Sequence, residues 1–258
     1  MRAKRRDLAV IMPFYNQSRF FKEALSSLRD NVCNPQIYVI NDGSDADELD
    51  KIVHVCEESA DITLLTQENR GLSSARNLGL SHSDEPYVLF LDGDDVVGTG
   101  QLDMQLHSLR SGGYDICLTK WAALSYQLNA LFPKNTYNGE MLDALFVAEN
   151  WESYLSIPIH TAMFNRDSIG DIRFNETLKS KEDLFFWINY FKEQKKTSFI
   201  DKYCAGYRMG GFSMSRGDKN LNRRSFAQVI KLCKENEFSD EIVRELTINY
   251  RRLYGTWD

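Results

Sequence analysis

From Leu8 to Asp95 short apolar runs alternate with amphipathic helical patterns, and three of the runs end in a polar cluster. Leu8-Ala-Val-Ile-Met12 reads as a buried strand stopped by Pro13. Ser18 caps a helix whose apolar face, Phe21, Ala24, Leu25 and Leu28, recurs at three- and four-residue spacing. Ile37 to Ile40, Ile62 to Leu65 and Tyr87 to Leu91 repeat the strand signal; Asp45 to Glu58 and Ser73 to Leu80 repeat the helical one. Strands joined through helices are joined by right-handed crossovers, so the pattern predicts a mainly parallel α/β sheet with helices on both faces. Ligands bind such sheets outside the carboxyl ends of the strands. Pro13-Phe-Tyr-Asn16, Asn41-Asp-Gly-Ser44 and Asp92-Gly-Asp-Asp95 each follow a strand and therefore converge on one sheet edge.

The second half is less regular. Helices are expected at Leu102 to Leu109, Met141 to Ala148 and Lys181 to Phe191, strands at Tyr114 to Ala122 and His160 to Phe164, and an extended segment at Ser198 to Met209. Two helices, Leu221 to Lys234 and Asp240 to Tyr254, close the chain as a C-terminal helical extension, 216–258, to a main domain of 1–215. At 258 residues the chain can bury a large core. No run reaches the roughly 18 apolar residues of a membrane span. The basic N-terminus precedes too short an apolar stretch for a secretory signal, so a cytoplasmic location is expected. Five cysteines without a CxxC pair read as buried thiols rather than a zinc ribbon or disulfide framework. A formal charge of −6 argues against a nucleic-acid partner.

Each polar cluster has a bland reading beside a chemical one. Asp92 and Asp94 flank a glycine and can face one Mg²⁺ or Mn²⁺, ions that take one or two carboxylates plus diphosphate oxygens; Asp92-Gly93 is equally an ordinary turn. Asn41-Asp42-Gly43-Ser44 suits a strand-to-helix turn with Ser44 or Asp45 as cap, or a carboxylate set to accept an imide N–H. Asn69-Arg-Gly71 to Arg76-Asn77 opens a helix with guanidinium groups, a setting for an anion or for surface arginines. Glu182-Asp183 opens an aromatic helix, as partners of its dipole or as a general base. His160 reads first as a core histidine. No P-loop, GxGxxG, HExxH or GxSxG is present.

Together, and in this order, Val-Ile-Met-Pro13-Phe-Tyr15-Asn16, Val-Ile-Asn-Asp42-Gly-Ser44, Asn69-Arg-Gly71-Leu-Ser-Ser-Ala-Arg76-Asn77, Phe-Leu-Asp92-Gly93-Asp94-Asp95, Ile159-His160-Thr-Ala-Met-Phe164 and Lys-Glu182-Asp183-Leu-Phe-Phe-Trp187 resemble the family 2 glycosyltransferases, inverting enzymes of the GT-A fold, from Leu8 to about Ser215. The resemblance implies a Rossmann-like nucleotide-binding half and a nucleotide-sugar donor, UDP by family habit. It implies that Pro13, Tyr15 and Asn16 line the nucleotide pocket, that Asp42 binds the uracil, and that Asn69, Gly71 and Arg76 hold base and ribose. Asp92 and Gly93 would meet ribose and donor sugar, Asp94 with Asp92 a divalent metal of the DXD motif, and Arg208 with the glycine-rich turn to Ser215 the diphosphate. Asp183 would be the general base with Glu182 in support, and His160 and Trp187 would lie on the acceptor side. The segment Tyr207-Arg-Met-Gly-Gly-Phe-Ser213 has no histidine to add to the metal ligands.

The acceptor implied is a saccharide or lipid-linked saccharide of bacterial surface polysaccharide. A sugar nucleotidyltransferase would need a glycine-rich loop where Pro13-Phe-Tyr-Asn16 stands, and a degenerate, non-catalytic nucleotide-sugar-binding module would have little use for all of Asp42, Asp92, Asp94 and Asp183. Basic residues of the tail (Lys219, Arg223, Arg224, Arg244, Arg251, Arg252) beside Phe226, Ile242, Leu246 and Tyr250 offer a minority reading, peripheral contact with the inner face of the membrane.

Overall fold

The computed structural model describes residues 6–125, 130–132, 137–209 and 218–255. Leu8–Phe14 forms β1, with all seven residues buried. Its pleat sends Leu8, Val10, Met12 and Phe14 into one apolar cluster and Ala9 and Ile11 into another. A continuous apolar run is what a strand covered on both faces requires. β2 (Gln36–Asp42), β3 (Ile62–Gln67) and β4 (Tyr87–Phe90) join it through α1 (Ser18–Arg29), α2 (Ala46–Glu57) and α3 (Leu72–His82). There follow β5 (Val96–Val97), α4 (Gln101–Gly112), β6 (Ile116–Leu124), β7 (Ala130–Leu131), α5 (Ala144–Asn150), a 3₁₀ turn (Ile159–Thr161), β8 (Ala162–Asn165), α6 (Arg166–Ile169), α7 (Glu182–Tyr190), β9 (Thr197–Arg208), α8 (Lys219–Glu235) and α9 (Asp240–Tyr254).

The described strands form one sheet in the order β3-β2-β1-β4-β8-β6-β9-β5, with β7 against β6. It is parallel across β3-β2-β1-β4, as the alternation requires, and mixed beyond, because β8 runs antiparallel to both β4 and β6. His160 lies in the 3₁₀ turn rather than in a strand. α5 begins at Ala144, later than the apolar pattern suggests, because the Asp143 carboxylate caps it by accepting the Phe146 N–H at 2.7 Å. Ser18 is not a cap; it is the first helical residue, and its backbone N–H donates to Glu48 Oε2 at 3.0 Å.

α1, α2 and α4 cover one face through Phe21, Leu25, Ile52, Leu102 and Leu106. α3, α5, α7, α8 and α9 cover the other, where Ala75, Val147, Phe186, Phe226, Val229 and Leu246 share a single cluster. The C-terminal helices therefore have no core of their own, and the division expected at 215/216, which falls outside the described residues, does not separate two cores. Their apolar face, with Phe226, Leu246 and Tyr250 buried, packs against the body. No helix among the described residues is long and apolar enough to cross a membrane.

Candidate active site

The carboxyl ends of β1, β2 and β4 meet as expected. Asn16, at φ +50°, stitches the first two: its Oδ1 accepts the Asp45 N–H at 2.9 Å, its Nδ2 donates to Asp45 Oδ2 at 3.1 Å, and its N–H donates to Ser44 Oγ at 3.1 Å. The side chains expected to cap α2 are thus committed to joining loops. Pro13 is buried in β1, and its carbonyl would stand 3.3 Å from a Cβ at Gly93, so the ends of β1 and β4 touch. Tyr15 is 47% exposed above this junction and offers a ring face. Gly43, at φ +68°, lets the next loop close: a Cβ there would lie 2.6 Å from the Asn69 nitrogen. Asp42 Oδ1 accepts from Gln67 Nε2 at 2.7 Å and the Arg70 N–H at 2.8 Å; Oδ2 accepts the Gly71 N–H at 2.8 Å. This carboxylate holds the 67–71 loop, and its acceptor capacity leaves room for one further donor on Oδ2. Asn69 is exposed on that loop.

Beyond β4 the acids are sorted by their partners. Arg76 Nη2 donates to both oxygens of Asp92, at 2.7 and 2.9 Å, and Nη1 to Glu182 Oε1 at 3.2 Å. Arg76 is 2% exposed, with its guanidinium 4.9 Å from the Phe174 ring centre. Arg76, expected to hold base and ribose, ties the end of β4 to the start of α7. Asp95 Oδ1 accepts the Arg208 N–H at 2.8 Å, and its Oδ2 lies 3.0 Å from His160 Nδ1, an ion-pair distance without hydrogen-bond alignment. Arg208 Nε donates to the Asp94 carbonyl at 2.7 Å and Nη2 to Glu23 Oε2 at 2.8 Å. Arg208, expected to meet the diphosphate, thus lies beneath the acidic loop and is 2% exposed. The glycine-rich turn to Ser215 lies mostly outside the described residues. His160 and Trp187 are fully buried, Trp187 Nε1 donating to the Ile157 carbonyl at 3.1 Å, so neither presents a surface to an acceptor.

Asp94 is what remains: among the described residues it has no ion-pair partner of its own. Burial, then the neighbouring Asp95 and Asp92, push its carboxyl up to about 7. Burial works against charge on Arg76, but Asp92 and Glu182 outweigh it and hold the guanidinium protonated. His160 is likewise raised, burial being outweighed by Asp95. Across Arg76, Asp183 opens α7. Burial and then Glu182 push it up to about 7, with Lys181 pulling the other way. α7 is fixed from below by aromatic packing: Phe186 stacks on Phe174 at 4.2 Å and meets Phe90 edge-on at 6.3 Å. An open groove of about 610 Å³ runs beside α3, past Gln67, Arg70, Asn77, Phe174 and Glu176; it adjoins the loop that Asp42 holds but not Asp94.

The donor set fits a hard divalent ion only in part. No group of three or more His, Cys, Asp or Glu side chains among the described residues is arranged as a cage, and Arg76 occupies both oxygens of Asp92. One unpaired, half-buried carboxylate suits Mg²⁺ or Mn²⁺ when phosphate oxygens complete the shell. Asp94 is the carboxylate of this kind in the acidic loop, whereas both oxygens of Asp92 are engaged by Arg76.

The family model of glycosyl transferase family 2 matches residues 9–214. The chain belongs to glycosyl transferase family 2. Its relatives include an uncharacterised glycosyltransferase of Rickettsia conorii, 26% identical over 83% of this chain and 34% of its own length, and the minor teichoic acid biosynthesis protein GgaB of Bacillus subtilis, 26% identical over 84% and 25%. The chain thus spans about a third or less of the length of these relatives. Among solved structures, S. aureus TarS 1–349 in complex with UDP-GlcNAc superposes with a TM-score of 0.74 at 19% identity, over 96% of this chain and 73% of that one. The family 2 fold is the one described above, a sheet flanked by helices with further helices at the C-terminus. The contacts of Glu23, Asp95, Glu152 and Lys181 escaped the sequence reading, because their partners lie far away in the chain and no short spacing marks them.

Proposed function

We propose that this family 2 chain is an inverting glycosyltransferase that takes a sugar from a nucleotide-sugar donor, a UDP-sugar first, and moves it to a saccharide or lipid-linked saccharide hydroxyl in surface polysaccharide synthesis. The observation that carries the proposal is the Arg76 bridge: it ties Asp92, two residues before the unpaired Asp94, to Glu182, the neighbour of Asp183, and so links the acidic loop after β4 to the start of α7. Tyr15 supplies a ring face for the base, and Asp42 has acceptor capacity left for an imide N–H. Asp94 would hold a divalent ion with the donor diphosphate, where the metal would neutralise the charge left on the departing nucleotide. Asp183 accepts the acceptor's hydroxyl proton as that oxygen bonds to the anomeric carbon; the bond from that carbon to the diphosphate breaks, and the nucleoside diphosphate leaves with its electron pair. One such displacement inverts the anomeric centre. A base near pH 7 is matched to this task. That the relatives' names concern glycosyl transfer and teichoic acid, and that TarS holds UDP-GlcNAc, support the choice of donor class and of a cell-surface polymer.

The test is release of UDP from UDP-glucose, UDP-galactose and UDP-GlcNAc with Mn²⁺, in water and with simple sugar acceptors. One donor is expected to be cleaved, and Asp183→Asn is expected to lose at least 100-fold in rate while binding UDP as the parent does. An Asn variant as fast as the parent removes Asp183 from the mechanism. Nucleotide binding with no cleavage of any donor favours a binding module.

A further inference from the structure

The entrance to α7 is built from two residues in a conformation that side chains rarely adopt. Lys181, immediately before Glu182 and Asp183, has φ +63°, and Glu152 has φ +58°. Lys181 is 5% exposed, and its ammonium lies 2.6 Å from Glu152 Oε1. Conformations of this kind persist only where the surroundings over-determine them, and they gather at functional sites. Here the surroundings are the C-terminal helices. Asn249 of α9, fully buried, donates through Nδ2 to the carbonyls of Ala148 and Trp151 at 3.2 and 2.9 Å, and its Oδ1 accepts Ser153 Oγ–H at 2.7 Å. It therefore holds the chain on both sides of Glu152. Asn222 of α8 accepts Ser180 Oγ–H at 2.6 Å, directly before Lys181. The Tyr254 hydroxyl, at the end of α9, lies close enough to Lys181 and Glu152 to feel both charges.

We propose that the C-terminal helical hairpin positions the proton acceptor of the reaction: through Asn249 and Asn222 it fixes the buried Glu152–Lys181 pair at the turn into α7, and the Lys181 charge, two residues before Asp183, tunes that carboxylate. The inference rests on the reading of Asp183 as base. The charged groups bearing on Asp183 are Glu182 and Lys181 on its own segment, Glu152 beyond α5, and Arg76 from α3. Lys181 favours the carboxylate form; Glu152 and Glu182 oppose it. Removing either member of the pair therefore moves the proton affinity of Asp183 in opposite directions, a consequence that a purely structural role does not have.

The experiment follows UDP release from the UDP-sugar selected in the donor screen, from pH 5.5 to 9, alongside UDP binding and circular dichroism. In Lys181→Met the acidic limb of kcat/KM is expected to move up by about one pH unit and kcat to fall at least tenfold with donor KM within twofold. In Glu152→Gln the limb moves down. Lys181→Arg keeps the charge and holds the limb at its parental place. Asn222→Ala lowers kcat several-fold with donor KM unchanged. Limbs that stay within 0.2 pH unit of the parent in both Lys181→Met and Glu152→Gln overturn the tuning; if Lys181→Met does not fold, Glu152→Gln and Lys181→Arg decide the matter between them. An unchanged kcat in folded Asn222→Ala overturns the part given to the hairpin. Asp183→Asn, assayed alongside, separates the two readings: full activity there means that the base was misassigned, whereas an inactive Asn variant with unmoved limbs elsewhere means that only the hairpin proposal fails.

Discussion

Arg76 answers to two acids at once, and its replacements separate charge from geometry. Arg76→Met leaves Asp92 and Glu182 facing an apolar stem, and losing one partner of a buried pair costs about 3–5 kcal/mol; urea unfolding should show a loss of this size. Arg76→Lys keeps the charge but cannot reach both acids from one planar fork. It should fold within about 1–2 kcal/mol of the parent and still lose about 100-fold in UDP release, and parental activity would make Arg76 a structural residue only. Asp183 carries a pH signature. Its carboxyl is raised from an ordinary 3.8 to about 7. Between those values the unfolded chain has released its proton and the folded one keeps it, so this group makes stability fall as pH rises from about 4 to about 7 and leaves it lower above. Asp183→Asn removes the penalty. The variant should melt higher than the parent at pH 8, by ~2–4 °C for each kcal/mol recovered, and the gap should close towards pH 4. A variant no more stable at pH 8 would mean that the carboxyl is not raised.

At the scale of elements, two glycines make contrasting predictions. Gly79 lets α3 lie against β1: a Cβ would sit 2.4 Å from Ile11 Cγ2. Gly79→Ala should cost about 1–3 kcal/mol by overpacking with donor KM unchanged. Gly43→Ala strains a positive φ and pushes on the loop that Asp42 holds, so donor KM should rise at least several-fold, as measured in the same UDP-release assay. The elements that set the site were legible because burial writes them into the sequence. β1 is apolar throughout, and its two-sided burial explains why; the apolar spacing of α1 returns as the buried Phe21, Ala24, Leu25 and Leu28. β5 and β7, two residues each, are too short to show a period, and the 3₁₀ turn at His160 is buried and runs directly into the strand that follows it. The positions of Asp42 and Asp94 at or after strand ends and of Asp183 in the first turn of a helix were legible, because strand ends and helix starts carry local marks. The burial of Arg76, Arg208, His160 and Trp187 was not legible, because sequence gives residue type but not depth. The Lys181–Glu152 pair spans 29 positions and leaves no local mark.

For the molecule as a whole, the C-terminal helices close the core that underlies α7. Phe226 is fully buried in the cluster that contains Phe186 and Trp187, so Phe226→Ala should cost about 3–5 kcal/mol in global unfolding. A protein cut before α8 should lose cooperative melting altogether, and a sharp transition in that fragment would restore two separate domains. The same architecture gathers the loops of three parallel strands beside one unpaired carboxylate and ties them through Arg76 to the start of α7, and this carboxylate is the group proposed to anchor a nucleotide through a divalent ion. Calorimetric titration of UDP into the protein, with and without Mn²⁺, in the parent and in Asp94→Ala, tests it directly. Mn²⁺-dependent binding is expected in the parent and at least tenfold weaker binding in the variant. Equal UDP affinity in the two proteins, or no binding of UDP, dTDP, GDP or CDP by the parent, would contradict it.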